Sequence, residues 1–83
     1  MSPDQMHKLV HMANQIADYF KVMPDAEALK GAADHLRAFW TPKMRREIIA
    51  WLDNGGEGLQ PLAVRAVGEL KHEAAQASEI ATG

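Results

Sequence analysis

The 83-residue chain contains no cysteine. Without a thiol it can form no disulfide, supply no cysteine ligand to an iron–sulfur cluster and offer no thiol nucleophile. No hydrophobic run approaches the roughly 20 residues that a membrane-spanning helix needs, and no signal peptide opens the sequence. The sequence therefore predicts a cytoplasmic protein that has no membrane contact and performs no thiol chemistry.

An excess of charge of one sign is also missing. Nine Lys and Arg residues stand against eleven Asp and Glu residues, and the formal net charge is -2. Non-specific binding of nucleic acid needs many cationic contacts to phosphate, and neither end of this chain is a basic arm. The charge therefore argues against a nucleic-acid partner. The hydrophobic content of 47% is that of an ordinary globular protein.

Four segments show the apolar spacing of amphipathic helices, and none shows the period-two alternation of a strand. A capping box at Ser2-Pro3-Asp4-Gln5 begins the first segment. The predicted helices run from this box to about Val22, from Asp25 to about Trp40, from Pro42 to about Asp53, and from Pro61 onward. We expect an all-α fold, a small four-helix up-and-down arrangement. Residues 1–77 would form a single helical domain, and residues 78–83 a frayed C-terminal tail.

The connection between the second and third predicted helices has the most distinctive composition. Thr41 precedes a proline and suits an N-cap, and Pro42 suits the first position of a new helix. This corner places two aromatic residues beside a cluster of basic residues, and both residue types are enriched at protein interfaces. The alternative reading, a core tryptophan with solvated arginines, stays open. The predicted partner-binding residues are Phe39, Trp40, Arg45, Arg46 and Ile49, with Asn14 and Asp18 on a second face.

No constellation of residues typical of catalysis is found. His7 and His11 share a helix face at a spacing that suits a metal, but a zinc site would need further ligands. The glycine-rich segment 55–58 lacks the Lys-Ser/Thr of a phosphate-binding loop and follows no strand. We therefore predict no catalytic, cofactor-binding or metal-binding residue in this chain. A helix-turn-helix DNA reader, with basic residues at the start of the third helix, remains a competing hypothesis.

Two longer motifs support a family resemblance. The segments Met12-Ala13-Asn14-Gln15-Ile16-Ala17-Asp18-Tyr19-Phe20 and His35-Leu36-Arg37-Ala38-Phe39-Trp40-Thr41-Pro42-Lys43-Met44-Arg45-Arg46 are similar to the delta subunit of soluble NAD-dependent formate dehydrogenases. The likeness continues through Gly58-Leu59-Gln60-Pro61-Leu62 and Val64, and covers about Met6 to Leu70. The order of the motifs, their spacing and the length of the chain all fit this family.

The resemblance implies a small accessory chain of a molybdenum- or tungsten-dependent enzyme. In such enzymes the alpha subunit holds the pterin-bound metal and iron–sulfur clusters, the beta subunit holds FMN and the NAD site, and gamma carries a further cluster. The delta chain is associated with assembly or stability. The resemblance therefore implies that this chain carries no cofactor and binds the alpha subunit within an alpha/beta/gamma complex. A transient assembly chaperone and a homodimer of the isolated chain remain alternatives.

Overall fold

Four α-helices form the fold, which a computed structural model describes for the backbone of residues 3–82 and the side chains of residues 5–77. They are α1 (Pro3–Phe20), α2 (Asp25–Phe39), α3 (Pro42–Asp53) and α4 (Pro61–Thr82), and no strand occurs in this range. The predicted all-α, four-helix fold is confirmed. Ser2 of the predicted capping box lies outside the described residues. The backbone of α4 continues to Thr82, and the division into a domain of residues 1–77 and a tail stays a prediction.

The corner between α2 and α3 has the predicted local structure. The Trp40 amide donates a hydrogen bond of 3.0 Å to the Leu36 carbonyl and closes α2. Thr41 is extended at φ −70° and ψ 159°, as a residue before proline should be. Its hydroxyl accepts a hydrogen bond of 3.1 Å from the Met44 amide. Thr41 is therefore the N-cap of α3, and Pro42 occupies the first helical position.

Two glycines end α3. The Gly56 amide donates to the Trp51 carbonyl at 2.9 Å, and the Gly55 amide donates to the Leu52 carbonyl at 3.0 Å. This pair of bonds is the Schellman motif, in which a residue of positive φ reverses the chain. Gly55 has φ +116° and Gly56 has φ +63°. The helix therefore stops at Asp53, the predicted end.

The core lies where α4 packs against both α2 and α3, with α1 covering the other side. Consecutive helices α2 and α3 touch only weakly, so their connection is a corner and not a hairpin of packed helices. Leu36, Ile48 and Val67 are the largest side chains that are almost completely buried. Alanines surround them, which lets the helices approach closely with little side-chain bulk. The buried core comprises Met6, Leu9, Ala13, Ala17, Ala32, Ala33, Leu36, Trp40, Ile48, Ala63, Ala66, Val67 and Leu70.

Candidate functional site

An apolar groove runs between α1 and α2 and ends at the start of α3. It encloses about 720 Å³. Among the described residues that line it, none is a carboxylate, a lysine or an arginine, so the groove favours an apolar occupant. We call it the aromatic groove; its lining residues are Met12, Gln15, Ile16, Tyr19, Phe20, His35, Phe39, Trp40 and Met44.

Four rings in contact with one another connect the two walls of the aromatic groove. On α1, Tyr19 and Phe20 meet edge to face, with ring centroids 4.9 Å apart. On α2, His35 and Phe39 are four residues apart, and their ring centroids lie 4.6 Å apart. Phe20 and His35 join the walls at 6.4 Å. Aromatic ring pairs at such distances attract each other by more than the burial of their surface area accounts for, so these contacts hold the two walls of the groove together.

The Phe20 ring lies directly on the backbone of α2 because residue 31 is glycine. An ideal Cβ built on Gly31 would lie only 2.5 Å from Cδ1 and Cε1 of Phe20. Any larger residue would push the ring away from α2. Gly31 therefore fixes the position of the Phe20 ring at this end of the aromatic groove.

Two large apolar side chains of the groove remain accessible to solvent. Phe39 is 72% exposed and Tyr19 is 69% exposed. Contiguous exposed apolar surface of this kind marks interaction sites in soluble proteins. By contrast Trp40, the sequence neighbour of Phe39, is 5% exposed and belongs to the core. The aromatic pair at the corner thus divides into an exposed edge and a buried floor.

The other predicted residues of the corner lie elsewhere. Arg45, Arg46 and Ile49 border a second groove of about 390 Å³ between α3 and α4. The sequence prediction combined these residues with Phe39 and Trp40 into one patch, whereas the structure divides them between two grooves. We call the second one the arginine groove; it is lined by Arg37, Pro42, Arg45, Arg46, Ile49, Leu70, Glu73, Ala74 and Ala77.

Two of the three arginines that line the arginine groove donate hydrogen bonds within the chain. Arg37 donates from Nε to Glu73 Oε2 at 2.8 Å and from Nη2 to Glu73 Oε1, and also pairs with Asp34. This bonding raises the pKa of Arg37 and lowers the pKa of Glu73. Arg45 donates from Nη1 to the Arg37 carbonyl at 2.9 Å. Arg46 is exposed and has no hydrogen bond or ion pair to any residue whose side chain the structure describes.

Asn14 and Asp18 make contacts within the chain. Asn14 donates from Nδ2 to the Gly58 carbonyl and accepts at Oδ1 from the Gln60 amide, both at 2.8 Å. These two bonds hold the loop between α3 and α4 against α1. Asp18 pairs with Lys21 at 3.0 Å, and this hydrogen bond is the main reason that the pKa of Asp18 is lowered. Contact of either residue with a partner stays a prediction.

The sequence prediction missed the α1 wall of the aromatic groove. Met12, Ile16 and Tyr19 follow one another at helical spacing, which places them along one side of α1. The sequence shows this spacing, but residues at the edge of a buried apolar helix face have the same spacing, so the pattern does not indicate a groove. Only the position of α2 leaves Tyr19 exposed, and this position depends on tertiary packing.

The described residues include no group of three or more His, Cys, Asp or Glu side chains placed to hold a metal ion. His7 and His11 border a surface depression next to Glu57 on the α3–α4 loop. Among the helices of the described range, none combines the length and the apolar character needed to cross a membrane.

Comparison with known protein families gives a match. The family model described as NADH-dependent formate dehydrogenase delta subunit (FdsD) matches residues 8–67. The matched segment contains every residue that lines the aromatic groove and the α2–α3 side of the arginine groove. No curated protein and no solved structure matches the chain.

Proposed function

The chain belongs to the family of NADH-dependent formate dehydrogenase delta subunits, and from this premise we propose that it is a non-catalytic accessory subunit. Its role is to bind the large alpha subunit of a cytoplasmic alpha/beta/gamma complex and to support the assembly or stability of that complex. Formate oxidation and NAD reduction belong to the other subunits. The chain itself needs no cofactor for this role.

The aromatic groove is the observation that carries this proposal. A chain of this length has little apolar surface to spare, yet it leaves Phe39 and Tyr19 largely in solvent beside a groove of about 720 Å³. Burying a fully exposed phenylalanine contributes about 1.5–3 kcal/mol. Removal of Phe39 and Tyr19 from water is therefore the main driving force that we assign to binding. Trp40 supports the groove from below.

The polar residues of the predicted interface have a different role in this proposal. Charged groups at the rim of an interface fix orientation and steer association more than they add affinity. We place Arg46 at such a rim, with the aliphatic Ile49 beside it and next to Arg45, whose guanidinium also connects α3 to the end of α2. Asn14 and Asp18 form the second, separate contact face of the proposal.

Replacement of Phe39 tests the proposal. Phe39→Ser should leave the melting temperature of the isolated chain nearly unchanged because the side chain is 72% exposed. Binding to the alpha subunit should fall by about tenfold or more, as for an aromatic residue central to an interface. The measurement is titration of the purified alpha subunit with the chain, together with co-purification from cells that express both.

Val22→Ser is the matched control, because Val22 is 82% exposed and does not line the aromatic groove. The control should bind as the unchanged chain does. Equal binding by Phe39→Ser and the unchanged chain would contradict docking through the groove. The chain should also be present in stoichiometric amount in the mature, active enzyme; its absence there would instead indicate a transient assembly chaperone.

A DNA-binding regulator has little support from the position of α3. In a helix-turn-helix protein the recognition helix must reach the major groove. Here Ile48 of α3 is completely buried, and the Trp51 indole donates to the Glu57 carbonyl at 2.8 Å. The helix packs with these side chains inside its own fold. Salt-sensitive binding of the isolated chain to duplex DNA would be the observation that supports a DNA-binding regulator.

A further inference from the structure

The start of α3 carries positive charge that the fold compensates only in part. Lys43, Arg45 and Arg46 lie in its first two turns, and no acidic residue lies in its first turn. The N-terminus of a helix is itself the positive end of its dipole, so cations there are unfavourable and anions favourable. Compensation of this potential requires negative charge from elsewhere.

The chain supplies such compensation to two of the three cations. Arg45 bonds to the Arg37 carbonyl near the C-terminus of α2, where a positive group is favoured. The Lys43 Nζ atom lies 4.0 Å from Glu47 Oε1, in the same helix. Arg46 has no acidic neighbour in ion-pair contact among the described side chains. Glu73, the one carboxylate among the described residues that line the arginine groove, is already bound by two guanidinium nitrogens of Arg37.

The floor beside Arg46 is apolar and has space above it. Ile49 is half-buried and Leu70 is buried, and together they form an aliphatic surface between α3 and α4. Ala74 and Ala77 on α4 are small and exposed, which leaves about 390 Å³ open. The arginine groove therefore combines an aliphatic floor with a guanidinium that pairs with no side chain the structure describes.

We propose that the arginine groove binds an acidic, aliphatic peptide segment of the large subunit. One carboxylate of this segment pairs with Arg46, and an adjacent aliphatic side chain lies over Ile49 between Ala74 and Ala77. The inference rests on the proposed function, since it assigns a second contact to the same partner. Charge complementarity selects the acidic segment, and the aliphatic floor selects a peptide over a nucleic acid, which has no side chain to fill it.

Two pairs of variants of the full chain test this contact in titrations of the alpha subunit. Arg46→Glu should weaken binding by about tenfold, the effect of reversing a charge in a close pair. Lys30→Glu makes the same change of charge on an exposed face of α2 and should bind normally. Ala74→Glu places a carboxylate in the groove to compete for Arg46, and it should weaken binding similarly. Ala75→Glu, one position further on the exposed surface of α4, should not.

Circular dichroism of each variant establishes that it is folded. A matched salt series should show that binding of the unchanged chain weakens as salt rises and that Arg46→Gln has a smaller dependence, because salt screens exposed charges. Failure of the unchanged chain to bind the alpha subunit would refute the proposed function itself. Binding that survives Arg46→Glu, or equal losses for Ala74→Glu and Ala75→Glu, would overturn the acidic contact alone. So would binding of duplex DNA that depends on Arg46.

Discussion

Phe39 and Trp40 are adjacent in the chain, yet 72% of the first and 5% of the second is exposed. Successive residues of a helix point about 100° apart, and α2 ends between these two. Trp40 therefore turns into the core as the chain leaves the helix, while Phe39 stays at the edge of the aromatic groove. The two residues need different experiments, because loss of a buried tryptophan destabilises a fold by about 3–5 kcal/mol and would obscure any effect on binding.

Gly31 and Gly68 allow a direct test of how tightly Phe20 packs on α2. Alanine gains about 1 kcal/mol over glycine inside a helix. At Gly31 the added methyl group would lie 2.5 Å from the Phe20 ring, and such overpacking costs about 1–3 kcal/mol. We expect Gly31→Ala to lower the free energy of unfolding by roughly 1 kcal/mol. Chemical denaturation followed by circular dichroism measures this change.

The matched variant is Gly68→Ala on α4. A Cβ there meets nothing within 4 Å, and Gly68 does not have a positive φ. It should raise the free energy of unfolding by about 0.5–1 kcal/mol. Stabilisation by both substitutions would mean that the Phe20 ring moves aside without cost, and the close packing described for Gly31 would then be wrong.

The ends of the helices are the part of the fold that the sequence predicts best. Pro42 after Thr41, and Gly55 after Asn54, impose local backbone geometry that depends on no distant residue. For this reason α3 begins at Pro42 and ends at Asp53, as predicted. The helix α2 also begins at the predicted Asp25, although its N-cap is Pro24, which has no side-chain hydrogen bond. The Asp25 carboxylate accepts hydrogen bonds from Arg65 of α4, at 2.6 and 2.9 Å.

Pairs between α2 and α4 should make stability depend on pH. Arg37 hydrogen-bonds to Glu73 and holds the pKa of that carboxyl below its usual value of 4.5. A group whose pKa is lower in the folded state than in the unfolded state adds stability above the unfolded value. That contribution disappears as the pH falls through the folded value. The bonded side chains are 35% and 43% exposed, so the pair contributes about 0.5 kcal/mol near neutral pH.

Glu73→Gln measures this contribution. The variant should be less stable than the unchanged chain at pH 7, and the difference should shrink below about pH 4.5. Denaturation curves at a series of pH values give the difference directly. Glu57→Gln is the control, since Glu57 has no ion pair among the side chains that the structure describes. A difference that persists undiminished at low pH would show that Glu73 acts through packing rather than through its charge.

The candidate site was less predictable than the helix ends because it depends on how all four helices pack. The sequence identified Phe39, Arg46 and Ile49 as unusual, but it could not show that the last two line a groove with α4 while Phe39 lines a groove with α1. Each residue lies within ten positions of the others in the sequence, yet they border different grooves. The exposure of Tyr19 likewise depends on the position of α2. Local periodicity indicates which side of a helix is apolar, but not how much of that side its neighbours cover.

The uncovered surface predicts how the whole molecule behaves without its partner. In the part of the chain whose side chains are described, the aromatic groove has no lysine, arginine or carboxylate in its lining, so two copies can meet there without charge repulsion. We expect the isolated chain to form a weak symmetric dimer at high concentration, with Phe39 of each copy against the groove of the other.

Sedimentation velocity over a concentration series should show the dimer, and Phe39→Ser should shift the chain to monomer while Val22→Ser does not. Excess alpha subunit should dissociate the dimer, because the alpha subunit and the second copy of the chain bind the same groove. A dimer that persists in Phe39→Ser would place self-association on another surface and leave the groove to the larger subunit alone.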